Sequence, residues 1–120
     1  MGSFLIVGGS SDIGILLTKR LVEEGNKVTL LVRDESRVSD LPEDMVERFV
    51  GDANNEDLVL AAVQSCITSG EGAIDGVAHL VGSFSVRPPH AMNREAFEEV
   101  LSTNLTSAFV TLSVACKQML

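Results

Sequence analysis

Val7-Gly8-Gly9-Ser10-Ser11-Asp12-Ile13-Gly14 joins a short apolar run to a helical pattern, and the rest of the chain can be read outward from it. Upstream, Ser3 to Val7 is a continuous apolar run of strand length. Downstream, Ile13, Leu16, Leu17 and Leu21 recur at helical spacing until Gly25-Asn26, a stop signal of the kind that ends helices. The segment between them is therefore a strand-to-helix turn. Its glycines allow a sharp bend, and the start of the helix presents unpaired N–H groups carrying partial positive charge. Such a turn can hold a diphosphate. A carboxylate at Asp12 can cap the helix, worth about 1 kcal/mol, but it would repel a bound pyrophosphate if it faced inward.

Beyond this unit, apolar runs and helical periodicity continue to alternate. Lys27 to Val32 reads as a second buried strand. The polar stretch Arg33 to Asp44 has room for one short helix before Pro42, and a third strand follows at about Val46 to Val50. Asn54 can cap a helix whose inner face is Val59, Ala62, Val63 and Cys66, closed by Gly70 and Gly72. Gly76 to Val81 reads as a fourth strand. After Pro88-Pro89, Arg94 to Leu101 and Leu105 to Leu120 read as two helices or one bent one. Strands alternating with crossover helices imply an α/β fold with a doubly wound parallel sheet, and right-handed crossovers make the expected strand order 3-2-1-4. The winding reverses between strands 1 and 4. Ligands of such sheets bind beyond the carboxyl ends of the strands at that switch point, so the loops Gly8 to Gly14 and Gly82 onward should line the site.

Composition narrows the function. The 120 residues are 45% apolar and 4% aromatic, with neither Trp nor Tyr, so the core is built from Val, Leu, Ile and Ala. That is the palette of buried parallel strands. A net charge of −8 argues against a nucleic-acid partner and against an anionic membrane surface. No apolar segment is long enough to span a bilayer. Cys66 and Cys116 lie in helix-like apolar patterns with no Cys-x-x-Cys, which suits small buried side chains in a reducing cytoplasm.

The glycine loop does not have the spacing G-x-G-x-x-G. It has the longer T-G-x-x-x-G-x-G spacing, with Val7 for Thr and Asp12 for the middle glycine, and in this it resembles the short-chain dehydrogenase/reductase family. Further similarities lie in Asp52-Ala53 after the third strand, in Val81-Gly82 within His79-Leu80-Val81-Gly82, and in the segment Ser102 to Phe109 around Asn104. The resemblance implies a Rossmann-like dinucleotide-binding domain over residues 1–120, lacking the strands that would complete it at the C-terminus. It implies that Gly8, Ser10, Ser11, Asp12, Ile13 and Gly14 meet the cofactor phosphates, that Asp52 and Ala53 meet the adenine, and that Val81 and Gly82 meet the nicotinamide ribose. Asn104 would take the family's structural and proton-relay role. A histidine on an apolar strand such as His79 reads as a core residue rather than a catalytic one.

At the end of the second strand an acidic residue would accept the ribose 2′-hydroxyl of NAD, but the chain has Val32 followed by Arg33. NADP is the expected cofactor and NAD the less favoured one. An arginine paired with Asp34 or Glu35 is the alternative for Arg33, and Arg37 is a possible helper. Relatives carry a Ser and a Tyr followed four residues later by a Lys, which serve as the proton donor and its activator. This sequence contains no Tyr. The expected function is thus an NADP(H)-binding oxidoreductase-like protein without turnover as it stands, or a non-catalytic nucleotide-binding or self-associating module. A small-molecule substrate is expected only where the missing half is supplied. The apolar stripe Leu105, Ala108, Phe109, Leu112, Cys116 and Met119 suggests a homo-oligomer built on the helix from Leu105 to Leu120.

Overall fold

The computed structural model describes residues 2–83 and 85–120. Four parallel strands, β1 (Ser3–Val7), β2 (Lys27–Val32), β3 (Val46–Val50) and β4 (Gly76–His79), form one sheet in the order β3-β2-β1-β4. The helices are α1 (Asp12–Glu23), α2 (Glu56–Ser69), α3 (Arg94–Leu101) and α4 (Ser107–Met119). A single 3-10 turn, Glu35–Val38, is all the regular structure in the polar stretch after β2.

Strand side chains alternate between faces, and this splits the core in two. Leu5, Val7 and Leu31 join Val59, Ala62, Val63 and Cys66 of α2 and Val110 and Ala115 of α4. Ile6, Val28, Leu30 and Val32 point the other way, toward Leu17, Leu21 and Val22 of α1 and toward Val38 and Leu41 of the β2–β3 connection. Helices on both faces cover a sheet whose central strands are apolar apart from Ser3, Lys27 and Thr29, as suits parallel strands buried on both faces. Arg48 ties the connection down: its guanidinium donates to the carbonyls of Val38, Leu41 and Val46.

Several local features differ from the sequence reading. The helix cap is Ser11, whose hydroxyl accepts from the Gly14 amide at 3.1 Å, and Asp12 is the first helical residue instead. Ile13 and Leu16 face outward, 69% and 62% exposed, while Gly14 and Thr18 face the sheet. Small residues on that side let the helix come close. α2 is capped by Asn55 rather than Asn54, because the Asn54 amide is drawn to the Ser102 hydroxyl and carbonyl at 2.9 and 3.2 Å. β4 ends at His79, two residues before Val81. The Leu80 amide still bonds the Val7 carbonyl at 2.7 Å before the chain turns off the sheet. Cys116 is exposed, not buried; Cys66 is buried. The last helical region is one helix interrupted by a π-helical turn, Ser102–Thr106, and α4 begins at Ser107.

Candidate functional site

A cavity of about 430 Å³ opens beyond the carboxyl ends of the strands, where the winding reverses between β1 and β4. That volume lies in the range of small-molecule sites, roughly 300–1,000 Å³. The glycine loop forms one wall. Gly8 has φ +90°, and a side chain there would meet the Leu80 backbone at 2.8 Å. A Cβ on Gly14 would meet the Gly8 carbonyl at 2.7 Å, so glycine is what lets α1 start directly under the loop. The amides of Gly8 and Gly9 both donate to the Leu31 carbonyl, and the Ser11 amide donates to the Gly8 carbonyl. Those of Ser10, Asp12 and Ile13 have no acceptor among the described residues. Free N–H groups at a helix start are what an anionic phosphate group needs.

Of the residues expected at the site, Gly8, Ser10, Ser11, Arg33, Asp52, Ala53, Val81 and Gly82 line this cavity together. Asp12, Ile13, Gly14 and Asn104 do not. Asp12 turns outward to Arg37, with Nη2 to Oδ1 at 2.6 Å. Ile13 points to solvent, and Gly14 lies beneath the loop. Arg33 makes no ion pair among the described residues. Its neighbour Asp34 is occupied otherwise, accepting from the Ser36 amide and hydroxyl at the start of the 3-10 turn. On Asp52, one carboxylate oxygen accepts from the Asn54 amide at 2.9 Å.

Asn104 stands behind the cavity wall, in the π-helical turn. Its Oδ1 accepts from the Ser83 amide at 3.0 Å, and its Nδ2 donates to the Ser83 carbonyl at 2.7 Å and the Val100 carbonyl at 2.9 Å. The side chain thereby bonds a carbonyl one turn back in its own helix and pins the loop after β4 to it. His79 Nε2 lies 2.9 Å from the Ser107 hydroxyl, which itself donates to the Thr103 carbonyl. Burial holds the His79 pKa below the ordinary imidazole value, with a backbone hydrogen bond opposing the shift. Burial also raises the Cys66 thiol, which keeps it protonated and inert.

The sequence reading missed Asn54, Glu99, Ser102, Thr103 and Ser107, all of which line the cavity. Asn54 follows Asp52 in the same loop, and the other four flank Asn104 on one helix. The signal was their nearness to residues already singled out.

A family model for short chain dehydrogenases matches residues 3–120. The chain belongs to this family. Its members are oxidoreductases that bind NAD or NADP, and the doubly wound sheet of this short-chain dehydrogenase is theirs. The family member is 36% identical over 81 residues to ipsdienol dehydrogenase of Ips pini, a match covering 68% of this chain and 31% of that protein. It is 30% identical over 119 residues to the 3-oxoacyl-[acyl-carrier-protein] reductase MabA of Mycobacterium tuberculosis, covering 98% of this chain and 45% of that one. A short-chain type dehydrogenase/reductase from Mycobacterium ulcerans superposes with a TM-score of 0.87 at 23% identity, over 98% of this chain and 46% of that structure. The chain thus spans between about a third and a half of the length of these relatives. Among the described residues no helix is long and apolar enough to cross a membrane.

Proposed function

We propose that this short-chain dehydrogenase binds NADP(H) in preference to NAD(H) and supplies the cofactor-holding half of an oxidoreductase site. The observation that carries the reading is the position of Arg33: it directly follows β2, lines the cavity and has no carboxylate partner among the described residues, and Val32 stands where an acidic residue would favour NAD. In this reading the amides of Ser10, Asp12 and Ile13 meet the diphosphate, Arg33 meets the ribose 2′-phosphate, and Asp52 and Ala53 face the adenine. The cofactor, when bound, supplies hydride chemistry. Val81 and Gly82 form the backbone against which its nicotinamide end rests, and Asn104 keeps that backbone in place through Ser83. These 120 residues contain no Tyr to act as the family's proton donor. The chain on its own therefore binds without turnover.

Titration calorimetry with NADPH and NADH on the wild type and on Arg33→Glu tests this. One charge-assisted contact at an exposed arginine sets the expected preference at about tenfold, or roughly 1.4 kcal/mol. The variant should lose it. Equal affinities in the wild type would sink the assignment.

We further propose that the chain self-associates through α4. Leu105, Phe109, Leu112 and Met119 lie exposed along one side of the helix while Ser107, Val110, Thr111 and Ala115 are buried on the other. Unpaired thiols at Cys66 and Cys116 fit a reducing, cytoplasmic setting.

A further inference from the structure

Two arginines line the mouth of the cavity, and they are not equivalent. Arg33 has no acidic partner among the described residues, whereas Arg37 reaches across to α1 and holds the Asp12 carboxylate at 2.6 Å. Neither end of that pair is anchored by burial, the side chains being 48% and 93% exposed, so it adds little to the fold. Asp12 also stands where the family spacing has a glycine, at the first residue of α1, among amides that have no acceptor among the described residues. A carboxylate at that position is not required to cap the helix, because Ser11 does so. What it does is occupy a guanidinium at the cavity mouth.

We propose that Asp12 is an internal competitor for Arg37: it holds this second arginine while the site is free and yields it to the 2′-phosphate of a bound adenine nucleotide, so that Asp12 sets how strongly the site prefers phosphorylated ribose. The proposal rests on the NADP(H) reading above. The exchange runs in the ligand's favour because a phosphate monoester carries more charge than a carboxylate at neutral pH and has three strong acceptor oxygens. A planar guanidinium pairs with either anion in the same forked geometry, so one replaces the other without rebuilding the loop. Arg33 supplies the baseline preference. Arg37, released from Asp12, supplies the rest.

The test uses adenosine 2′,5′-bisphosphate and, as the matched probe lacking the 2′-phosphate, adenosine 5′-monophosphate. Both are titrated into the wild type, Asp12→Asn, Arg37→Leu and the double variant. Removing a competing exposed ion pair should, in Asp12→Asn, tighten the bisphosphate about threefold more than the monophosphate. In the Arg37→Leu background the same substitution should do nothing, because no arginine remains to be released. Equal tightening of both nucleotides by Asp12→Asn would overturn the proposal, since Asp12 would then act on the shared 5′-phosphate. So would a bisphosphate affinity unaffected by Arg37→Leu. A wild type that binds both nucleotides equally defeats the NADP(H) reading itself, and that outcome is distinct from a wild type that prefers the bisphosphate but shows no link between Asp12 and Arg37. Both residues are exposed, and unchanged melting curves confirm that the variants remain folded.

Discussion

Replacing Asn104 by alanine isolates what the π-helical turn contributes. The side chain makes three hydrogen bonds: one part-buried, to the Val100 carbonyl, and two exposed, to the amide and carbonyl of Ser83. Net hydrogen-bond contributions of about 1 kcal/mol for the part-buried bond and about 0.5 kcal/mol for each exposed one put the loss near 2 kcal/mol. Alanine is the better helix former and returns roughly 0.6 kcal/mol. The expected destabilisation is therefore about 1.5 kcal/mol, which for a domain of this size lowers the melting temperature by roughly 4–8 °C. Scanning calorimetry gives that number. Amide hydrogen exchange at Ser83 gives a second, because its N–H loses its acceptor and should exchange much faster. Asn104→Asp keeps the acceptor for the Ser83 amide but removes both donors, so it should destabilise the fold while protecting Ser83 in part. A melting temperature within about 1 °C of wild type for Asn104→Ala would refute the view that the turn depends on this side chain.

The remaining expectations concern pH and assembly. Because His79 has a folded pKa below its unfolded value, the unfolded state takes up the proton first as pH falls, and stability should decline from about pH 6.5 down to the folded pKa and then level off. His79→Asn should remove that decline between pH 7 and pH 5 in melting experiments, and an unaltered pH profile would show that another group is responsible. Light scattering at tens of micromolar should find the wild type dimeric or larger and Phe109→Asp monomeric, Phe109 being 65% exposed on the apolar side of α4. A monomeric wild type would remove the case for self-association.

The strands were legible because their evidence is local. Leu5, Ile6 and Val7, or Leu30, Leu31 and Val32, are apolar whichever face they meet, and buried parallel strands ask for nothing more. The gathering of the glycine loop, Arg33, Asp52 and Gly82 at one crevice follows from the winding of the sheet, which the alternation of elements also carries. What could not be read were choices made by tertiary partners. Asn54 and Asn55 are equally good caps by chemistry, and Ser102, 48 residues away, decides between them. Ile13 and Leu16 have helical spacing, but the rotation of α1 is set by how the Gly8–Ser11 turn enters it, and this puts Gly14 and Thr18 inward. Leu80 and Val81 continue the apolar pattern of β4 after the backbone has left the sheet. Asp12 read as a cap or a repulsive charge. Its actual partner, Arg37, is 25 residues on and visible only once the β2–β3 connection is folded back.

The π-helical turn at Ser102–Thr106 also fixes a phase. A wide turn accommodates one residue more than the regular helix, and one residue corresponds to about 100° of rotation. Everything after Thr106 is dialled round by that amount relative to α3. The setting puts Val110, Thr111 and Ala115 inward and leaves Phe109 and Leu112 outside. Winding the same residues as a regular α-helix, with none removed, would bring the wrong side of α4 onto the core. The segment is in this sense a counting device: its length, as much as its chemistry, decides which face of the molecule is interior.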